Sequence, residues 1–261
     1  MVEAMAGGVP VTWLAPELAS EGVLVFLHGG GYFAGPDRGQ WAWVAEVQRR
    51  TGLAAVMVLY RMPPRHPFPA ALDDALSAIG ALCATDQIRD GRWILSGDSA
   101  GGGLALVATQ ARRDAGEPLP AGLLLTAPWV DVAMEHPDTA CPEREDLAVG
   151  RSILRWGAER YADGVPLDDP RLSPLNASMH GLPPVHLNVG AEDLFLADDR
   201  RFCAALEAAG VDVASIEQAG AGHVYPHRTT TPEAEWTIRS QVSWIRGHIT
   251  PNDTITNEVA R

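Results

Sequence analysis

The sequence contains no lysine: all 20 of its Lys+Arg residues are arginine. A Schiff-base amine, a serine–lysine dyad and the lysine of a phosphate-gripping loop are therefore excluded, since each needs a primary amine. Basic charge is also scarce. Against 33 Asp+Glu, the arginines leave a formal net charge of −13, which repels a polyanion and argues against nucleic acid as a partner. Cysteine is limited to Cys83, Cys141 and Cys203, an odd set without C-x-x-C spacing. Neither a disulfide frame nor a metal site is expected, and the three thiols read as packing residues. Long apolar runs are missing too: Val23–Leu27 and Leu53–Leu59 fall far short of the roughly 20 residues that span a bilayer. Met1 to Met5 lack a basic segment, and Pro10 and Thr12 interrupt the stretch where a secretion signal needs an apolar block. No membrane span and no secretion signal are read, and a cytoplasmic location is expected.

What is present is a chain of 261 residues, 46% of them hydrophobic, which suits a single domain over 1–261 with one sizeable core. Apolar runs of strand length alternate with segments of helical period, the pattern of stacked βα units around a mostly parallel sheet. Strands are predicted at Pro10–Leu14, Val23–His28, Ala54–Leu59, Trp93–Ser96, Gly122–Thr126, Val185–Val189 and Val213–Glu217. Helices are predicted near Gly39–Arg50, Pro69–Ala84, Ala100–Ala115, Leu196–Ala208 and Pro232–His248. The stretch from Asp131 to Pro184 breaks the alternation, with a helical piece near Glu143–Tyr161, and is too long for a structureless loop. A helical cap insertion over 132–180 is expected there, covering the ligand crevice at the sheet edge. The polar tail 250–261 is expected to fray.

Two glycine motifs carry the chemistry. Gly97-Asp98-Ser99-Ala100-Gly101 follows a strand and precedes a helix, which is the G-x-S-x-G nucleophile elbow in its strand–turn–helix setting. His28-Gly29-Gly30-Gly31 follows the strand Val23–Leu27, and its consecutive glycines leave backbone N–H groups free to meet a developing oxyanion. The amides of Gly30, Gly31 and Ala100 are the expected donors, with His28 orienting the loop rather than acting as a base, and Gly29 and Asp98 supporting the two motifs. Ser99 needs a base oriented by an acid, and in elbow enzymes the partners follow in the order serine, acid, histidine. His223, in the loop Gly220-Ala221-Gly222-His223, is the base chosen, with His227 as runner-up. His186 lies inside a strand and His248 ends a helix, so both read as structural. Asp193, after the strand Val185–Val189, is the favoured acid, with Glu192 as the fallback. Asp198 and Asp199 open a helix, where carboxylates complement the positive helix end, and Asp131 comes too early in the chain. Most of the eight tryptophans lie in predicted strands or helices and read as packing residues, with Trp41 and Trp43, just after the glycine loop, the two placed where a crevice could be lined.

His28-Gly29-Gly30-Gly31 together with Gly97-Asp98-Ser99-Ala100-Gly101-Gly102 resembles the bacterial hormone-sensitive-lipase-like esterases, the GDXG group of the α/β-hydrolases. The resemblance continues through Tyr60-Arg61, the run from His66 to Ala75, Pro128-Trp129-Val130-Asp131, Leu172-Ser173-Pro174-Leu175, Leu182-Pro183-Pro184, Val189-Gly190 and Gly222-His223. It implies the α/β-hydrolase fold, a mostly parallel central sheet flanked by helices with a small helical cap. It also implies a serine carboxylic ester hydrolase with triad Ser99, Asp193 and His223, needing no cofactor. The expected partner is a small-molecule ester or lactone, with short acyl chains favoured, and a homodimer is the assembly considered. A lactone hydrolase or deacetylase of secondary metabolism is the second enzymatic reading, and a non-hydrolytic cyclase or ligand receptor on the same scaffold is the third. Two departures stand out. Met62-Pro63-Pro64-Arg65 replaces the usual Leu-Ala-Pro-Glu run, and His28 comes too early for the N-terminal cap helix and additional first strand that family members carry. An open acyl crevice, a crevice covered by a partner, or omitted native residues would each account for that short start.

Overall fold

The computed structural model describes residues 1–136 and 150–249. The expected tail at 250–261, Cys141 and the first part of the expected cap helix lie outside the described residues. Eight strands form one sheet in the order β1 (Val2–Ala6), β2 (Val9–Leu14), β4 (Ala54–Val58), β3 (Val23–Leu27), β5 (Trp93–Asp98), β6 (Gly122–Thr126), β7 (Val185–Gly190) and β8 (Val213–Gln218). From β4 to β8 every pairing is parallel, and β1 and β2 are joined on antiparallel. The seven strands and five complete helices read from periodicity are all present, within a residue or two at their ends.

The strand missed is β1, and its presence corrects the expectation that no strand precedes the one at Pro10–Leu14. Four of its five residues are exposed, so no apolar alternation marks it. Its signal was the turn: Gly7-Gly8, both at positive φ, close a two-residue hairpin to β2.

The central strands are buried on both faces, as parallel strands sandwiched between helices must be. Alternate residues of β3 divide between two cores. Val23, Val25 and Leu27 pack with α2 (Ala70–Ala84), α3 (Ser99–Asp114) and α5 (Leu196–Ala208), while Leu24 and Phe26 pack with α1 (Arg38–Thr51) and α6 (Pro232–His248). Between β6 and β7 the chain leaves the sheet, and its described part carries α4 (Arg151–Ala162). No helix among the described residues is long and apolar enough to cross a membrane.

Chain order reverses at the centre of this sheet. From β3 the chain proceeds to β4 on one side, then crosses to β5 on the other, with Leu27 in register with Gly97. A crevice opens outside the carboxyl ends of strands at such a switch point. The two loops that flank it here are His28-Gly29-Gly30-Gly31 and the turn at Ser99.

Candidate active site

Ser99 sits where β5 turns directly into α3, with φ of 51°, a left-handed conformation that a non-glycine residue adopts at a cost. The two glycines of the elbow are forced by contact. A Cβ on Gly97 would stand 2.3 Å from the Gly101 carbonyl oxygen, and one on Gly101 would stand 2.1 Å from that of Leu27. The sharp turn therefore exists only because three backbone segments touch without side chains between them.

The glycine loop after β3 is tied to the turn at Ser99 by one carboxylate. Asp98, 2% exposed, accepts the Gly29 N–H at 2.8 Å and the Gln40 side-chain amide at 3.0 and 3.1 Å. Gln40 is itself fixed. Its side-chain oxygen accepts the Asp37 N–H at 2.7 Å while Asp37 accepts the Gln40 N–H at 2.9 Å, a capping box that starts α1. Gly29 is thus occupied, whereas the N–H groups of Gly30 and Gly31 donate to no acceptor among the described residues. Gly30 and Gly31 both have positive φ, which turns the loop across the strand ends. His28 lies behind it, stacked on Tyr60 at 4.3 Å between ring centres, and the Tyr60 hydroxyl donates to the His28 carbonyl. Burial pushes the His28 pKa down, so this ring is a neutral prop for the loop.

On the other wall, His223 presents Nδ1 to both oxygens of Asp193, at 3.1 and 3.0 Å. Asp193 is fully buried and also accepts the Phe195 N–H at 2.9 Å, and the Phe195 ring meets His223 edge-on at 5.1 Å. Glu192 points to solvent. Asp131 and Asp198 share Arg201, at 3.5 and 2.7 Å. Asp199, buried beside Asp193, has its carboxyl pushed well above the usual range by desolvation first and the neighbouring carboxylates second. His186 reaches Ser240, and His248 the Trp244 carbonyl, so neither contacts Asp193. His227, the runner-up base, packs on Trp43 and faces Asp98 rather than Asp193.

Ser99, His223, His227, Gly30 and Gly31 line one cavity of about 540 Å³. Ile153 and Leu154 of α4 close part of its rim, with Phe33 and Val224 adding apolar wall. α4 rests on the glycine loop itself: Tyr161 stacks on Tyr32 at 3.8 Å, and a Cβ on Gly157 would come within 2.8 Å of the Gly31 carbonyl oxygen and the Phe33 ring. Trp41 and Trp43 are not among the residues that line the cavity, and both pack. The helical period of α1 turns Trp43 into the core against Phe26, and Trp41 packs at the edge of the same cluster. Gln40 was missed as a site residue, although its capping-box spacing from Asp37 is visible in the sequence. No group of His, Cys, Asp and Glu among the described residues is arranged to hold a metal ion.

Residues 24–227 match a family described as having the alpha/beta hydrolase fold. An acetyl-hydrolase of Streptomyces hygroscopicus is 34% identical over 92% of this chain and 80% of its own length. An esterase of Acinetobacter venetianus is 32% identical over 75% of this chain and 65% of its own. The solved structure of an esterase from the bacterial hormone-sensitive lipase family superposes with a TM-score of 0.89 at 32% identity, covering 95% of this chain and 84% of that one.

Proposed function

Since the chain belongs to the α/β-hydrolase family and is a carboxylic ester hydrolase, we propose that Ser99, His223 and Asp193 are its nucleophile, base and acid. The observation that carries this is the buried Asp193 carboxylate gripping His223 Nδ1, in the same cavity where the strained elbow presents Ser99. With its proton held on Nδ1, the imidazole offers Nε2 as the acceptor for the serine proton.

Ser99 Oγ then attacks the ester carbonyl carbon as its proton passes to His223, and the carbonyl oxygen becomes an oxyanion facing the amides of Gly30, Gly31 and Ala100. Collapse breaks the bond to the alcohol oxygen, which takes the proton from His223 and leaves an acyl-serine. Water repeats the sequence, giving its proton to His223 and releasing the acid and free Ser99. Asp193 keeps the tautomer and stabilises the imidazolium at both stages. The contacts of α4 at Ile153, Leu154, Tyr161 and Gly157 support reading residues 132–180 as a helical cap insertion within one domain. A cavity of about 540 Å³ suits a small ester, and the acetyl-hydrolase relative favours acetyl among the acyl groups. The Ser99 and His223 side chains on one cavity, with Asp193 behind His223, favour ester hydrolysis over the receptor and cyclase readings.

Titration with diethyl p-nitrophenyl phosphate followed by peptide mapping is the test. One equivalent of label on Ser99, and no turnover by Ser99→Ala, is expected. Label on another residue, or a Ser99→Ala variant that keeps its activity, overturns the assignment.

A further inference from the structure

His227 is an imidazole of the cavity that acyl transfer leaves unused. Its side chain is 7% exposed, the residue lines the cavity, and Nε2 is buried with no hydrogen-bond partner among the described residues. Nδ1 lies 4.0 Å from Asp98 Oδ2. That is beyond hydrogen-bond reach, but near enough for the carboxylate to favour the tautomer with its proton on Nδ1. The remaining nitrogen, Nε2, is then a bare lone-pair acceptor. Desolvation by burial outweighs the pull of Asp98 and Asp37 and keeps the ring neutral at neutral pH. The ring is held as well as buried. Trp43 packs on it at 5.8 Å between ring centres, and Gly39 leaves it room, since a Cβ there would stand 3.3 Å from His227 Cβ. A buried acceptor left without a partner is costly, and that cost is recovered when a ligand supplies the donor.

We propose that His227 Nε2 accepts a hydrogen bond from a hydroxyl or N–H group of the substrate, so that the enzyme selects donor-bearing esters over plain alkyl ones. This rests on Ser99, His223 and Asp193 being the reacting centre of the same cavity. It assigns the cavity a polar recognition point beside Asp98 and the start of α1, in a cavity that Ile153 and Leu154 of α4 also line. A site built to receive a donor discriminates against the analogue lacking it more strongly than an apolar pocket discriminates by size.

The test uses the full chain and two ester pairs that differ only by a hydroxyl, the smallest uncharged donor. p-Nitrophenyl glycolate against p-nitrophenyl acetate places it on the acyl side, and 2-hydroxyethyl acetate against ethyl acetate places it on the alcohol side. Within each pair, the ratio of kcat/KM in the wild type divided by that in H227F cancels intrinsic reactivity. A value of about ten in one pair, expressed mainly in KM, is expected. H227Q, which keeps an acceptor oxygen, is expected to restore part of it. Should H227F not fold, His227→Leu, which also removes the acceptor, is expected to lower the same preference. A ratio that stays within about twofold in both pairs, or an equal loss across all four esters, overturns the proposal and leaves His227 a packing residue. Loss of all turnover in Ser99→Ala alongside an unchanged ratio sinks only the His227 assignment. Turnover surviving in Ser99→Ala sinks the reading on which it rests.

Discussion

Replacing Asp98 by Asn changes one oxygen to NH₂ and tests whether this buried carboxylate holds the glycine loop to the turn at Ser99. The Asn oxygen can still accept from Gly29, but its Nδ2 then confronts the Gln40 Nε2 that Asp98 accepted at 3.0 and 3.1 Å. Gln40 cannot turn its amide over to relieve the clash, because its oxygen is already accepting the Asp37 N–H in the capping box at 2.7 Å. One charge-assisted hydrogen bond is lost and a buried donor pair is left opposed, about 3 kcal/mol in all. For a chain of this size that lowers Tm by about 6–12 °C. A loosened loop misplaces the Gly30 and Gly31 amides, so kcat is expected to fall about 10- to 100-fold. The partner substitution Gln40→Glu should also destabilise on its own, by setting a second carboxylate against Asp98. The two together rebuild the network with its polarity reversed. One oxygen of the introduced glutamate accepts from the Asp37 N–H and the other from the introduced asparagine, in a capping box that favours a glutamate. Urea unfolding and p-nitrophenyl acetate kinetics on all four proteins give the cycle, and the double variant is expected to recover most of both losses. Additive losses in the double variant would refute the reasoning.

Asp193→Asn presents an N–H to His223 Nδ1 and imposes the tautomer that cannot take the serine proton. A loss of about 10³–10⁴ in kcat with little change in KM is expected in steady-state ester hydrolysis. Gly157→Ala drives a methyl into the Gly31 carbonyl and the Phe33 ring, so α4 must lift from the glycine loop. kcat/KM is expected to drop about tenfold, and unchanged kinetics would mean that the cap does not bear on the loop. His186 is buried with its pKa lowered by desolvation to about 4 from an ordinary 6.5. Between those values the unfolded chain binds the extra proton, so stability falls as pH drops through that window and is unaffected above it. Up to about 3 kcal/mol is at stake, and His186→Leu should flatten the acid limb of a urea-midpoint profile between pH 6.5 and 4.

The elements that bury apolar faces were legible because burial writes a period into the chain. β3, with alternate residues feeding two cores, and α5, with its helical stripe, stand where periodicity predicts them. β1 was not, since an exposed edge strand needs no apolar side chains and only Gly7-Gly8 marks it. The elbow and the glycine loop were legible for a steric reason: at Gly97 and Gly101 any side chain would strike backbone, so the requirement falls on residue type alone. Gln40 and His227 belong to the other class. Their residue types are ordinary, and what distinguishes them is the contact each makes across the fold.

By itself, then, the sequence determined the chemistry on offer: no amine, a serine on a strained turn, free glycine amides, and a histidine and an aspartate later in the chain. Those properties are local, set by side-chain identity and by what a turn can tolerate. Only the tertiary structure decided which carboxylate meets which imidazole. Asp193 and Glu192 are neighbours in sequence, yet one is fully buried against His223 and the other faces water. His223 and His227 share a loop, yet one faces Asp193 and the other Asp98. Pairings of that kind depend on where β5, β7 and β8 place their carboxyl ends, and strand order in a sheet is a property of the whole chain.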